Sequence, residues 1–255
     1  MVTVEEPLEI WIAYEYKNAE PVEFSLSITM RTPGNDEALV TGFLFSEGII
    51  RSRKDIASIQ VFGPSTQPYG LQNQIKVSLK SGERMAEKNF QRYFYSSSSC
   101  GVCGKASIQA LEMLHQPRIE ETGFTIHDQT LRQLPEQLRS CQQEFDKTGG
   151  QHGVALVNTG GEILLSKEDI GRHNAMDKLI GQLVIENTLE MNDKMILVSG
   201  RASFELVQKA LMADIPCFVS TAAGHSRRSR CSRLRLGQQS HVLSRPRRHR
   251  TQPGI

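Results

Sequence analysis

Long apolar runs are the first thing this 255-residue chain lacks. The longest, such as Met195–Val198, fall far short of the roughly 20 apolar residues that a helix needs to cross a bilayer, so no membrane association is expected. No charged-then-apolar leader ending in small residues opens the chain, and secretion is not expected either. Cysteine is scarce as well. Cys100, Cys103, Cys141, Cys217 and Cys231 are too few to frame a chain of this length with disulfides, which points to reduced thiols and a cytoplasmic location. Acidic residues vanish from residues 225–255, which carry nine arginines and no lysine. Setting those nine aside from the 30 basic residues leaves 21 against 28 acids over residues 1–224, a net of −7 beneath an overall charge of +2. At 38% hydrophobic, the chain can bury one large core or two modest ones.

What is present reads as α/β. "LEIWIAY" and "VEFSLSITM" alternate apolar and polar side chains and predict strands. "NDEALVTGFLFSEGII" turns to helical spacing, with Asn35 or Asp36 to cap it and Leu39, Phe43 and Leu44 on its apolar stripe. "IASIQVF" and "IKVSL" predict further strands. Beyond a cysteine loop, Lys105–His115 and "TLRQLPEQLRSCQQEF" have helical spacing, the latter despite Pro135. "HGVALVN", "TGG" and "EILLS" form a hairpin pattern. A helix over "RHNAMDKLIGQLVIEN", a strand "KMILVSG", a helix "SFELVQKALMAD" and a strand "PCFVS" follow. Strands alternating with helices imply crossovers and a parallel or mixed sheet. The expected organisation is a small N-terminal mixed α/β domain over residues 1–95 and a cysteine loop over 96–104. A second α/β domain spans 105–224, and a basic tail spans 225–255.

The loop "YSSSSCGVCGKAS" sets two thiols three residues apart in polar surroundings, where structural cysteines are seldom found. Three chemistries fit that spacing. A zinc site needs two further ligands, yet His115, His127, His152 and His173 stand singly and no second CxxC precedes the tail. A thioredoxin-like dithiol needs a preceding strand that is not apparent here. A sulfur nucleophile gains from a helix beginning near Lys105, whose positive end and ammonium both favour thiolate.

Two other stretches concentrate polar groups. In "KEDIGRHNAMDKLIG", Arg172 and the helix start at residues 171–173 suit an anion. The competing reading is an ordinary capped helix with Asp177 and Lys178 facing solvent. In "VSGRASFEL", a strand runs into Ser199-Gly200-Arg201 and then a helix capped by Ser203, the place where α/β sheets receive ligands. An exposed arginine on a plain βα turn is the competing reading there.

"SSCGVCGKAS", "TGGQHGVAL", "KEDIGRHNAMDKLIG" and "SGRASFELVQKAL", with "GFLFSEGII" before them, resemble the FdhD/NarQ family in order and wording over residues 20–222. The resemblance implies a sulfur carrier, a sulfurtransferase serving formate dehydrogenase. Such a protein takes persulfide sulfur from a cysteine desulfurase and passes it to the molybdenum bis(molybdopterin guanine dinucleotide) cofactor, which it binds as a substrate. It also implies a cytidine-deaminase-like, three-layer C-terminal domain with no metal of its own, and a homodimer. By position, Cys100 is the persulfide-bearing residue and Cys103 its partner, while Arg172, His173 and Arg201 fall in segments expected to contact the cofactor. The alternative is a small zinc- or nucleic-acid-binding module using the CxxC and the basic tail, although the acidic body and an absence of aromatic residues in the tail oppose nucleic acid.

The tail departs from the family pattern. An apolar helix, a strand and a Gly-Phe-x-x-x-x-Arg segment are expected after "PCFVS", and an arginine-rich stretch stands there instead. That composition is what a GC-rich gene yields when read out of frame, so the tail is expected to be disordered and to leave the sheet edge bare. Translating the gene in its other two frames past codon 223 should reveal an apolar helix and the missing segment. Finding neither would make the tail genuine.

Overall fold

Apolar–polar alternation at the N-terminus builds a four-stranded sheet in the computed structural model, which describes residues 2–15, 20–66, 68–82 and 126–222 and the backbone of 230–233 and 241–242. Strand β1 (Glu6–Tyr14) pairs antiparallel with β2 (Val22–Arg31) and parallel with β4 (Leu71–Leu79), and β4 pairs antiparallel with β3 (Ile56–Thr66). The order is β2-β1-β4-β3. Leu8, Ile10 and Ile12 of β1 and Ile75 and Val77 of β4 face one buried side.

Helix α1 (Asp36–Ser46) covers that side and is itself buried over most of its surface. Asn35 stands at its N-cap in a left-handed conformation, φ 57°, and makes no side-chain cap bond. Its Oδ1 instead accepts from Lys167 Nζ at 2.8 Å. Asp36 is held by the fully buried Arg31, whose Nε and Nη2 donate to its two carboxylate oxygens at 2.9 Å each. This fork-to-fork geometry pins the helix start to β2.

The second half opens with α2 (Asp128–Cys141) and α3 (Gln143–Thr148). The single helix expected over this stretch is therefore broken at Gln142. Glu168 supplies the reason, accepting from the free amides of Glu144 and Phe145 at 3.0 and 2.9 Å and so capping a new helix. Strands β5 (His152–Asn158) and β6 (Ile163–Asp169) make the expected hairpin. Helix α4 (Arg172–Glu186), β7 (Lys194–Val198), α5 (Phe204–Met212) and β8 (Cys217–Ser220) complete the pattern. The sheet is mixed: β5 pairs antiparallel with β6 and β7, and β7 pairs parallel with β8.

Both faces of this sheet are covered, which explains the unbroken apolar run in β5. Ala155, Val157, Met195, Leu197, Cys217 and Val219 pack beneath Leu134 and Leu138 of α2. Val154, Leu156, Ile196, Val198 and Phe218 turn the other way, toward α4 and α5. The three-layer arrangement is the one expected, with the N-terminal sheet as a fourth layer. The two halves share one core, since Leu8, Leu39 and Ile75 belong to the same apolar cluster as Leu179, Leu206 and Phe218.

Helices α1 and α4 meet at two glycines. A Cβ at Gly42 would sit 1.9 Å from the Asp177 carbonyl oxygen, and one at Gly181 would sit 1.8 Å from that of Ala38. Asp177 and Lys178 are buried rather than solvated, at 3% and 2% exposure, so the outward-facing reading of this helix is corrected. Lys178 Nζ lies 2.7 Å from Asp169 Oδ2 and donates to the Thr32 carbonyl at 2.8 Å. Asp177 accepts from Lys209 of α5 at 2.9 and 3.0 Å and from Ser46 of α1 at 3.1 Å.

The expectation of a disordered tail beside a bare β8 edge also needs correction at two points. Strand β9 (Arg230–Arg233) pairs antiparallel with β8, and β10 (His241–Val242) with β9. An open strand edge offers main-chain donors and acceptors to any backbone, whatever its side chains. The remaining tail lies outside the described residues.

Burial pushes the Asp177 carboxyl up to about 6 against the pull of Lys209. Burial alone would lower Lys209, but Asp177, Glu47 and Glu205 outweigh it and raise the ammonium. Lys209→Met should therefore destabilise the protein by about 3–5 kcal/mol in urea denaturation above pH 6, by stranding a buried carboxylate. The loss should shrink below that pH, where Asp177 takes a proton. A pH-independent loss, or none, would contradict this account.

Candidate functional site

The carboxyl ends of β6, β7 and β8 and the amino end of β5 lie at one end of the second sheet, as their registers require. The polar residues singled out in the sequence gather there. Asp169 closes β6, and its Oδ1 accepts the Gly171 amide at 2.8 Å, fixing the turn from which α4 starts. Arg172 and His173 are the first two residues of that helix, and its first turn holds no acid. The positive end of α4 is thus open to an anion.

The turn after β7 is tied down on both sides. Ser199 N donates to the Gly153 carbonyl at 2.9 Å, Gly153 N donates back to Ser199 Oγ at 2.9 Å, and Ser220 Oγ donates to the Gly200 carbonyl at 2.7 Å. A Cβ built on Gly200 would stand 3.2 Å from His152 Nδ1 and 3.7 Å from Arg172 Cδ. His152 and Arg172 therefore stand over the open side of Gly200, and Arg201 follows as an exposed residue. His173 reaches the next helix, with Nε2 3.3 Å from Ser203 Oγ and 3.1 Å from Glu205 Oε2. Arg172, His173 and the turn that leads into Arg201 accordingly lie at the same end of the sheet. Cys100 and Cys103, with the helix expected from Lys105, lie outside the described residues.

A cavity of about 490 Å³ opens beside this cluster, between α2, α3 and the starts of β5 and the β7–α5 turn. Gln142, Phe145, Gln151, His152, Ser199 and Thr221 are among its lining residues. Gln142 and Gln151 are each 4% exposed, yet Gln142 Nε2 and Gln151 Oε1 have no hydrogen-bond partner among the described residues. One donor and one acceptor are thus left unsatisfied in a cavity wall, a costly state that a ligand or water relieves. Arg172 Nε is likewise buried without a partner.

Neither glutamine was legible from sequence. Gln142 matters because a helix breaks at it, and Gln151 because it precedes His152, the neighbour that drew notice. Glu205 was missed for the same reason, as one helical acid among many.

The electrostatics are those of a fixed cation among uncharged rings. Burial, then Arg172, lowers the His152 pKa, although Asp169 pulls the other way. Burial, then Arg172, Lys209 and His152, pushes His173 down to about 4. Both rings are neutral near pH 7, so the guanidinium of Arg172 and the α4 amides supply the positive field. The rings offer hydrogen bonds. No group of three or more His, Cys, Asp or Glu is placed to hold a metal ion among the described residues. No described helix is long and apolar enough to cross a membrane.

Comparison with known proteins gives the family and the fold. The model of the FdhD/NarQ family matches residues 4–229, ending a few residues into the arginine-rich stretch. The sulfur carrier protein FdhD of Mycobacterium bovis is 42% identical over 229 residues, covering 88% of this chain and 80% of that one. That of Streptomyces coelicolor is 41% identical over 227 residues, covering 88% and 77%. That of Picrophilus torridus is 41% identical over 225 residues, covering 88% and 79%. A crystal structure from Desulfotalea psychrophila, named as that of a formate dehydrogenase accessory protein, superposes with a TM-score of 0.60. At 19% identity, over 90% of this chain and 87% of that one, it shows the fold alone.

A depressed histidine pKa has a stability signature. The folded protein holds a proton on His173 less readily than the unfolded chain does. Its contribution is therefore present above pH 6.5 and lost as the pH falls toward 4. Asp177, raised to about 6, acts with the opposite sign and is common to both proteins compared. His173→Gln should flatten the fall in urea midpoint between those two pH values relative to the wild-type protein. An unchanged slope would mean that the ring is not held neutral.

Proposed function

The chain belongs to the FdhD/NarQ family, and on that footing we propose that it carries sulfur as a persulfide on Cys100, with Cys103 completing the transfer. The observation that carries the reading is the loop Ser99-Cys100-Gly101-Val102-Cys103-Gly104-Lys105, in a chain whose relatives are named sulfur carrier proteins. The donor is a cysteine desulfurase, and the acceptor is the molybdenum bis(molybdopterin guanine dinucleotide) cofactor, bound as a substrate before its insertion into formate dehydrogenase. The work is done in the cytoplasm, by a homodimer.

The chemistry follows from thiolate reactivity. Cys100 thiolate attacks the outer sulfur of the donor persulfide, the donor S–S bond breaks, and the donor thiolate leaves with that electron pair. Cys100 then holds the sulfane sulfur. For delivery, Cys103 thiolate attacks the Cys100 sulfur. The outer sulfur departs with the electron pair of the broken bond, as sulfide for the molybdenum centre. The resulting Cys100–Cys103 disulfide is reset by a cellular thiol. Lys105 and the helix expected to start there favour thiolate over thiol.

The end-of-sheet cluster supports the binding half of this reading. The guanine nucleotide arms of the substrate carry phosphates, and Arg172 with Arg201 and the amides of α4 form a site of matching charge. Neutral His152 and His173 and the two unpartnered glutamines suit a heterocycle rather than a second anion.

Incubation with a cysteine desulfurase and cysteine, followed by persulfide trapping and mass spectrometry, should find one added sulfur on Cys100, lost in Cys100→Ser. Cys103→Ser should still load sulfur but release it slowly. No added sulfur on either cysteine would defeat the proposal. One zinc per chain retained through gel filtration would point to the zinc-binding alternative.

A further inference from the structure

Neither sulfur carriage nor anion binding accounts for Glu205. It stands in the first turn of α5, where an acid is favoured by the helix dipole, and its charge helps raise Lys209 one turn on. Yet its Oε2 is buried and has no hydrogen-bond partner. An unpaired carboxylate oxygen away from water is costly, so the atom closest to serving it matters. His173 Nε2 lies 3.1 Å from that oxygen, within contact distance but short of hydrogen-bond alignment. A small rotation about either side chain's terminal torsions aligns the two, because those torsions are broad.

The same ring nitrogen is 3.3 Å from Ser203 Oγ. That hydroxyl alone does not settle the position of the ring proton, since it can donate or accept. It already accepts from the Leu206 amide as the cap of α5, at 3.4 Å. A carboxylate oxygen is different, for it only accepts. A lone pair on Nε2 would face the lone pairs of Oε2 at 3.1 Å in a partly dry site, which is repulsive. A proton on Nε2 turns the contact attractive and satisfies Oε2. Arg172, Lys209 and His152 also face His173, and Asp177 lies beyond Lys209. The charges of Arg172 and Lys209 oppose a second proton on the ring but do not choose which nitrogen holds the first.

We propose that Glu205 is a positioning residue that fixes His173 as its Nε2–H tautomer, leaving Nδ1 as the lone-pair nitrogen that accepts an N–H or O–H donor of the bound ligand. His173 thereby selects for a donor group on the ligand rather than for its phosphates, which fall to Arg172 and the α4 amides. The ligand's identity rests on the function proposed above; the tautomer does not, because it belongs to the protein alone.

Nitrogen NMR of the full chain labelled with 15N-histidine, at neutral pH, reads the tautomer directly, with His173 assigned from the spectrum of His173→Gln. The wild-type protein should show the Nε2–H form alone. Glu205→Ala should lose that single form and show both tautomers. Glu205→Gln, which keeps a side-chain oxygen acceptor, should restore it. Ser203→Ala should leave it in place. The Nδ1–H form in the wild-type protein overturns the proposal. So does an unchanged tautomer in Glu205→Ala, or, where that variant does not fold, a tautomer that shifts in Ser203→Ala. A protein with the expected tautomer that nevertheless accepts no sulfur would count against the sulfur-carrier function and leave this assignment standing.

Discussion

A single buried ion pair, Lys178 with Asp169, decides where the site is. Asp169 is fully buried, and both of its oxygens are used. Oδ2 takes Lys178 and the Thr32 amide, and Oδ1 takes the Gly171 amide and Asn174. Lys178 returns to the Thr32 carbonyl, and Asn174 bonds the Met30 carbonyl and Thr29 Oγ1. Every partner on one side of this network comes from the end of β2 or the turn after it, and every partner on the other from the β6–α4 turn and α4. The network thus joins the N-terminal sheet to the helix whose first residues are Arg172 and His173. A charge pair in such a place stabilises little relative to apolar packing, but it permits only one arrangement of the groups it links. The Asp177–Lys209 pair does the same from the adjacent residue of α4, fastening that helix to α5 and, through Ser46, to α1.

The fixed charges so placed set the chemistry at the end of the sheet. An arginine with a buried, unpartnered Nε lies against two histidines that burial and Arg172 keep neutral. The proposed division of labour is cation for phosphate, neutral rings and amides for the uncharged part of a ligand. The sulfide transfer proposed for Cys100 needs the acceptor held still while one S–S bond breaks and another forms. A rigid turn at Ser199–Gly200, bonded to both β5 and β8, is well suited to hold it.

Local signals carried most of the fold. Period-two alternation in residues 6–31, the Asn158–Glu162 turn and the strand–helix alternation after it all appear where the sequence places them. What the sequence hid was pairing across long distances. Asp177 and Lys178 look like any solvated helix face until Lys209, Asp169, Ser46 and Thr32 are seen around them. Gln142 shows nothing in sequence, because the break it marks is imposed by Glu168, 24 residues on from Glu144. Gly42 and Gly181, too, give no sign of their role in the sequence, whereas each is the space the other helix needs. The tail misled in the opposite sense, since its composition argued against structure while the backbone of 230–233 still pairs with β8. The segments holding Arg172, His173 and Arg201 were readable together because ligands gather where strands run into helices, and the sheet brings those ends into one place.

The buried Asp169–Lys178 pair, remote in sequence from the N-terminal sheet it grips, holds in position the arginine proposed to bind the ligand. The most direct measurement is the calorimetric affinity for GDP, standing for one nucleotide arm of the proposed substrate, of the wild-type protein and of Lys178→Met. The account predicts binding by the wild-type protein and affinity weaker by about tenfold, or about 1.4 kcal/mol, in the variant, although Lys178 has no route to the ligand. Equal affinity in a Lys178→Met protein with native circular dichroism, or no binding by the wild-type protein, would contradict it.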